Sequence, residues 1–171
     1  MTAHDLDIAA LLLRLALGPM LIAHGWNKVF GAGGLAGTTR WFEGLGLRPA
    51  GMHARLAAFS EITAGALVTV GLFCGLAAAA FVGLMLVATL TDHRGKGYFV
   101  FKGGAEYTVL VAMVALGYAC LGPGTWSLDE ALGLDLAGAG WALIALILGV
   151  LASAGLLLIS YRPVSSPPKE S

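Results

Sequence analysis

Charge is scarce in this chain of 171 residues. Only 12% of its residues are charged and 58% are hydrophobic, whereas about a quarter of the residues in a typical soluble domain are charged. The ten basic residues balance the ten acidic ones, so the net charge gives no indication of a nucleic-acid partner. The composition therefore favours a membrane protein.

The motifs of soluble enzymes are also missing. The sequence contains no phosphate-binding P-loop, no HExxH, no paired CxxC and no pattern for haem, flavin or iron–sulfur ligation. GAGGLAG at residues 31–37 lacks the preceding strand that a dinucleotide fingerprint requires. We therefore predict no intrinsic cofactor and no metal site.

Five apolar stretches dominate the chain instead, at residues 8–23, 56–73, 76–90, 107–121 and 141–160. About 20 apolar residues span a bilayer as a helix, with about 17 as the lower limit. Three of the stretches are shorter than that, but they extend through Gly, Thr, Tyr or Trp into their flanks. We predict an all-α integral membrane protein with five spanning helices. The second and third helices would meet in a tight turn at Cys74-Gly75.

Positive charge falls on one side of the predicted bundle. If the five helices cross in turn, one face receives Lys28, Arg40, Arg48, Arg55, Arg94, Lys96, Lys102, Arg162 and Lys169. Short cytoplasmic loops carry the excess of Lys and Arg, so we predict an N-out, C-in topology. A signal peptide is the alternative for the first stretch, but no Lys or Arg precedes it and its apolar run is longer than a usual signal core.

Arg14 is the one basic residue inside an apolar stretch. It lies roughly 15 Å from the cytoplasmic end of its helix. Gly18 and Gly25 share its helical face, so a neighbouring helix can approach there, and the arginine is expected to face inward. Its depth favours Glu61 over Glu106 as the anionic partner.

Other ionisable residues are predicted to gather nearer the cytoplasmic end. His24 and Lys28 lie one turn apart on the first helix, and Glu61, His93 and Glu106 fall at a similar level. Ionisable groups inside a membrane are costly and are often functional, which makes a ligand site one interpretation of this polar cluster. The other interpretation is that the groups neutralise one another and fix the register of the helices.

Two segments are predicted to lie at the membrane surface. TTRWFEGLGL at residues 38–47 is typical of a short interfacial helix that Thr38 caps. YFVF at residues 98–101 places aromatic rings at the headgroup level. The tail at residues 162–171 is short, polar and rich in Pro and Ser, so we expect it to be disordered in the cytoplasm.

Cys74 and Cys120 are the two cysteines of the chain. Both are predicted near the outer side, where disulfides can persist, so they are candidates for a disulfide. The alternative, which the frequent burial of cysteine favours, is that both serve as small apolar residues.

Several motifs, in order along the chain, resemble the DoxX family of small bacterial membrane proteins. They are LRLALGPMLIAHGWNKVFG, GLAGTTRWFEGLGL, AAFSEITAG, KGYFVFKGGAEYTVL and LGPGTWSLDEALG, and they span roughly residues 10–135. The resemblance implies a four-helix membrane bundle over residues 1–135 in the bacterial inner membrane, to which residues 136–161 add a fifth helix. It also places Arg14, His24, Lys28, Glu61 and Glu106 on the family's recurrent polar positions.

The resemblance implies a redox-linked or detoxification subunit of a membrane system. Relatives include a subunit of thiosulfate:quinone oxidoreductase and membrane components that associate with soluble redox or detoxification enzymes. Because the sequence has no cofactor-ligation pattern, electron transfer would need quinone, thiols or the cofactor of a partner. In this hypothesis Arg14, His24 and Glu61 are the candidate catalytic residues, which hold a quinone head group or a small anion and relay protons.

Two other functions stay open. The first is a non-catalytic anchor or accessory subunit that docks in a larger membrane complex through the helix at residues 141–160. The glycines of that region make it a candidate interface: Gly138, Gly140, Gly149 and Gly155. The second is a transporter, which the small number of helices and the lack of a clear inverted repeat disfavour.

Overall fold

The computed structural model describes residues 2–163, and its regular elements are helices. Thr2 caps the first helix, because its hydroxyl accepts from Asp5 N while the Asp5 carboxylate accepts from Thr2 N. The helices are α1 (Ala3–Phe30), α2 (Gly34–Leu45), α3 (Ala50–Val70), α4 (Cys74–Thr91), α5 (Glu106–Leu121), α6 (Leu128–Leu132) and α7 (Ala139–Ser160), with a 3-10 turn at Val100–Lys102. Residues 164–171 of the predicted tail lie outside the described residues.

Three of the helices are long and apolar enough to cross a membrane, namely α1, α4 and α7. α5 is apolar but has only 16 residues, about 24 Å of helix. α3 has 21 residues, and the polar side chains of His53, Arg55 and Glu61 lower its hydropathy. The five predicted spans thus correspond to five long helices, and the crossing of α3 and α5 stays a prediction.

The turn between α3 and α4 lies just before the position that the sequence predicted. Gly71 adopts a left-handed conformation (φ 68°) that ends α3. The carboxylate of Asp129 then accepts from the backbone N–H groups of Phe73 (2.7 Å) and Cys74 (2.8 Å). Because this carboxylate satisfies the first donors of α4, Cys74 and Gly75 belong to the helix and not to the turn.

Thr38 also differs from its predicted role. It lies inside α2, whose N-cap is Gly33. The Thr38 hydroxyl donates to Lys28 O (2.8 Å), so it ties α2 to the last turn of α1. The prediction that Thr38 caps the interfacial helix was therefore wrong, because α2 begins four residues earlier at Gly34.

Four helices close a bundle and the fifth long helix packs on its outside. α1 packs against α3, α3 against α4, α4 against α5, and α5 against α1, while α7 packs against α4 and α5. Glycines permit the closest contacts. A Cβ atom on Gly18 of α1 would lie 2.7 Å from Gly65 O of α3, and one on Gly149 of α7 would lie 2.6 Å from a side chain of α4.

Charge distinguishes the two ends of this bundle. The basic end comprises the end of α1, α2, the start of α3, the loop at residues 92–105 and the end of α7, and it carries every described Lys and Arg except Arg14. The acidic end comprises the start of α1, the turn at residues 71–73 and the loop at residues 122–138. It carries Asp5, Asp7, Asp129, Glu130 and Asp135.

Candidate functional site

Arg14 reaches backbone carbonyls at the acidic end. Its Nε and Nη2 donate to Thr69 O (3.3 and 2.9 Å), and its Nη1 donates to Pro123 O (3.2 Å) and Trp126 O (2.6 Å). Among residues 2–163, no carboxylate lies within ion-pair distance of it. The predicted pairing of Arg14 with Glu61 was wrong, because the last turn of α3 offers the guanidinium a carbonyl with partial negative charge.

Glu61 pairs with Lys28 instead. Lys28 Nζ donates to Glu61 Oε1 (2.8 Å) and Oε2 (2.6 Å), and the two side chains are only 13% and 10% exposed. α1 and α3 approach closely here, and glycine at position 25 permits this approach. A Cβ atom on Gly25 would lie only 2.8 Å from Ala58 O. Removing either partner of such a pair would leave a buried charge uncompensated.

A cavity of about 740 Å³ adjoins this ion pair. It lies between α1, α2 and α3 on one side and α4, α5 and α7 on the other, and it follows α4 from Leu76 to Thr91, about 22 Å of helix. Its wall is mainly apolar. Its polar lining residues are His24, Lys28, Trp41, His53, Ser60, Glu61, Thr91, Asp92, His93, Tyr107, Thr108 and Ser153. Because most of these lie toward the basic end, the cavity is polar at one end and apolar at the other.

Two histidines of this lining each have one ring nitrogen that bonds to a backbone carbonyl and a second that has no hydrogen-bond partner among residues 2–163. His93 Nδ1 lies 2.6 Å from Gly103 O, and His53 Nε2 lies 3.2 Å from Arg48 O. A carbonyl oxygen only accepts, so each of these nitrogens carries the proton of the bond. In the neutral rings, His93 Nε2 and His53 Nδ1 are consequently hydrogen-bond acceptors.

His53 is a lining residue that the sequence analysis missed. His53, Ala57 and Glu61 follow one another at intervals of four along α3, and all three line the cavity. This i, i+4, i+8 spacing places them along one side of a helix. The spacing was visible in the sequence, but it gained meaning only once Glu61 was known to face a cavity.

The structure gathers four of the six predicted polar residues at the cavity: His24, Lys28, Glu61 and His93. The ring of His24 is exposed and lies 6.4 Å from the ring of Tyr107. Arg14 is not among the lining residues. The four residues belong to α1, α3 and the segment after α4, so the bundle brings together groups that are up to 69 positions apart in the chain.

Glu106 is the other predicted member that does not line the cavity. Its Oε2 accepts from Val100 N (2.9 Å), so the carboxylate orders the loop between α4 and α5. Glu106 begins α5, where a carboxylate also suits the positive end of the helix dipole. The structure thus gives Glu106 a local structural role.

The two cysteines are free thiols. Cys74 is fully buried at the start of α4, and its Sγ lies 3.7 Å from Tyr118 O. Cys120 is exposed near the end of α5. The candidate disulfide is not formed, because α5 turns Cys120 toward the outside of the bundle while Cys74 packs into its core.

Comparison with known families identifies one match. The DoxX family model matches residues 9–94, half of the chain, from the first apolar stretch to three residues beyond α4. Neither the curated proteins nor the solved structures contain a significant match. The matched segment includes Arg14, His24, Lys28, Glu61 and His93, whereas the α5 and α7 walls of the cavity lie beyond it. The chain is therefore a membrane protein that belongs to the DoxX family.

Proposed function

We propose that this protein binds a quinone in the cavity beside Lys28 and Glu61, as a subunit of a redox or detoxification system. The single observation that carries the proposal is the shape and polarity of the cavity, which is apolar over most of its length and polar at its basic end. A quinone with a hydrocarbon tail has the same division. Ligand pockets typically combine an apolar wall with a few placed polar groups.

The donors and acceptors at the basic end fit a quinone head group. Glu61 occupies two of the three Nζ–H groups of Lys28, which leaves one donor for a ligand carbonyl. His93 Nε2 and His53 Nδ1 can accept from a ligand hydroxyl. A bound quinone would supply two-electron, two-proton chemistry. Glu61, His93 and His24 are lining groups that can hold and pass on those protons.

We propose further that all five long helices span the bacterial inner membrane and that the basic end faces the cytoplasm. The support is the distribution of Lys and Arg, which follows the rule for cytoplasmic loops. The polar end of the cavity would then lie in the cytoplasmic leaflet. A soluble redox enzyme that docks at the basic end is the electron source that this arrangement favours.

Quenching of Trp41, which lines the cavity, tests the proposal. A variant that keeps Trp41 and replaces Trp26, Trp126 and Trp141 by Phe is placed in nanodiscs and titrated with decylubiquinone. We expect saturable quenching, and an affinity about tenfold lower after Glu61→Gln, since the ligand site loses its ordered Lys28 donor.

A matched control separates binding from collision within the lipid. A variant that keeps only Trp126, at the acidic end, should show quenching that rises linearly with the quinone in the membrane. Quenching of Trp41 that is equally linear, or that is unchanged by Glu61→Gln, would contradict the proposal.

The alternative function, an anchor in a larger complex, has support from the outer face of α7. Gly149 packs against α4, but Gly140 and Gly155 have open space where a Cβ would be. Leu151 and Leu158, one turn either side of Gly155, are exposed and apolar, so this face suits lipid or a partner helix. A stoichiometric partner that co-purifies in mild detergent and is lost after Gly155→Leu would support the anchor. A monodisperse protein without a partner would count against it.

A further inference from the structure

We infer that the cavity opens sideways into the lipid, between α3 and α7, and that it takes a single-tailed lipid with an uncharged head group from the bilayer. This inference rests on the proposed ligand site and adds a route and a selectivity to it. Its three supports are the exposed rim of the cavity, the depth of that rim and the charge balance of the polar end.

The rim consists of residues that line the cavity and also have a large exposed fraction. Leu56 of α3, Leu76 of α4 and Leu148 of α7 line the cavity and are 46%, 46% and 41% exposed. Ala152 of α7 is likewise a lining residue that is exposed. All four are apolar, so the opening is bordered by side chains that prefer hydrocarbon to water.

The depth of the two rim residues on α7 places that side of the opening in the hydrocarbon region. Ala152 and Leu148 precede Ser160, the last residue of α7, by eight and twelve residues, which is about 12 and 18 Å along the helix. The hydrocarbon core of a bilayer is about 30 Å thick. A molecule that passes between α3 and α7 at this level therefore comes from the acyl chains and not from water.

The gap between α3 and α7 is closed at the basic end of the bundle. Arg48 N donates to Ser160 O (2.8 Å), and Arg162 N donates to Gly46 O (2.7 Å). These bonds join the end of α7 to the segment between α2 and α3. Phe42 and Leu47 pack there with side chains from the end of α7. The route between α3 and α7 is thus sealed toward water and lined by apolar side chains toward lipid.

The opposite side of the cavity has a different chemistry. His24 of α1 and Tyr107 of α5 line it and are both exposed. Polar rings at this position suit the passage of protons and water better than that of a hydrocarbon tail. The ligand tail would therefore enter between α3 and α7, and protons would pass on the side of His24 and Tyr107.

The Lys, Asp and Glu residues that line the cavity each have an ion-pair partner. Lys28 is matched by Glu61 (2.6 Å), and Asp92 is matched by Lys96 (3.3 Å). An anionic or cationic head group would add an unpaired charge to a little-hydrated site, which is costly. A head group with a hydroxyl or a carbonyl can use the free donor of Lys28 and the histidine acceptors without that cost.

Stopped-flow quenching of Trp41 by decylubiquinone tests the route. Ala152→Phe narrows the rim and should slow binding at least about tenfold, whereas the matched control Leu151→Phe, on the exposed face of α7, should change the rate less than about twofold. Leu148→Ala widens the rim and should accelerate binding, which keeps the test decisive if Ala152→Phe folds poorly.

The results separate the route from the proposed function. Saturable quenching with equal rates for Ala152→Phe, Leu151→Phe and the unmodified protein, or no acceleration by Leu148→Ala, would overturn lateral entry and leave the quinone site intact. An absence of saturable quenching in the unmodified protein would overturn the proposed function itself.

Displacement by two ten-carbon lipids tests the selectivity for an uncharged head group. Decanol and decanoate differ in the charge of the head group at pH 8 and share the same tail length. We expect decanol to displace decylubiquinone at a concentration at least about tenfold lower than decanoate does, after correction for partition into the lipid. Equal displacement by both, or stronger displacement by decanoate, would overturn the selectivity.

Discussion

Arg14 and Lys28 are both cations inside the bundle, and they have different kinds of partner. Arg14 is 5% exposed and donates to the carbonyls of Thr69, Pro123 and Trp126. Lys28 donates to the carboxylate of Glu61 beside a cavity of about 740 Å³. The first arrangement fastens three backbone segments together. The second leaves side chains next to free volume, which is where a ligand can be bound.

Other charged side chains of the acidic end also hold separate backbone segments together by hydrogen bonds. Asp129 caps α4 through Phe73 N and Cys74 N, and Asp7 accepts from Thr125 N and Thr125 Oγ1 at 2.8 Å each. Together with Arg14, these carboxylates attach the loop at residues 122–138 to α1, α3 and α4. Charged side chains at this end therefore stabilise the fold, and the predictions below test the contrast with the basic end.

Lys28→Met should have the largest effect on folding. It leaves the Glu61 carboxylate buried without its partner, which we expect to lower the free energy of unfolding by about 3–5 kcal/mol. Unfolding in detergent followed by circular dichroism measures this. The double variant Lys28→Met/Glu61→Gln removes both charges and should recover most of the loss. Equal instability of the single and double variants would contradict the account of this pair.

Arg14→Met should come next. The carbonyls that Arg14 joins lose their donor, which we expect to cost about 2–3 kcal/mol of unfolding free energy. Arg14→Lys keeps the charge, so its free energy of unfolding should lie between those of Arg14→Met and the unmodified protein. Among molecules that remain folded, the affinity for decylubiquinone, measured by quenching of Trp41, should stay within about twofold of that of the unmodified protein. A loss of affinity without a loss of stability would assign Arg14 to the ligand site instead.

Asp129→Asn should have a smaller effect, about 1–2 kcal/mol, because the amide has only one acceptor oxygen for the two backbone N–H groups and lacks the charge that favours a helix N-terminus. Hydrogen exchange of the backbone amides of Phe73 and Cys74 should also be faster in Asp129→Asn than in the unmodified protein. Asp135→Asn is the matched control in the same loop, since its side chain is exposed, and it should leave both measurements unchanged. Identical behaviour of the two variants would refute the capping role.

Glu106→Gln should have the smallest effect, less than about 0.5 kcal/mol. The amide oxygen of Gln can still accept from Val100 N, and Glu106 does not line the cavity. Quinone affinity should also stay unchanged. A tenfold loss of affinity would restore Glu106 to the functional cluster that the sequence predicted.

Much of the fold could be predicted from the sequence, because it depends on patterns along single helices. Apolar length predicted the helices, and the placement of Lys and Arg predicted the basic end. The shared face of Gly18 and Gly25 predicted the close approach to another helix, which proves to be α3. The family could be predicted as well, since its motifs are local in the chain.

The partner of each buried charge could not be predicted in the same way. Arg14 binds backbone carbonyls, and every residue has a carbonyl, so residue types carry no signal for that choice. Depth alone paired Arg14 with Glu61, whereas Lys28 extends from the last turn of α1 to the same carboxylate. The cavity arises from gaps between helices that are far apart in the chain. For this reason His53 and the α7 wall were recognised only in the structure.

The affinity for decylubiquinone, measured by quenching of Trp41 in two variants, tests the contrast between Arg14 and Lys28 most directly. Lys28→Met/Glu61→Gln removes the pair with little change in stability, and Arg14→Lys alters the other cation while keeping its charge. The account predicts that the first variant loses at least about tenfold in affinity for decylubiquinone and that the second stays within about twofold. Full affinity in the first variant, or a tenfold loss in a folded Arg14→Lys protein, would contradict it.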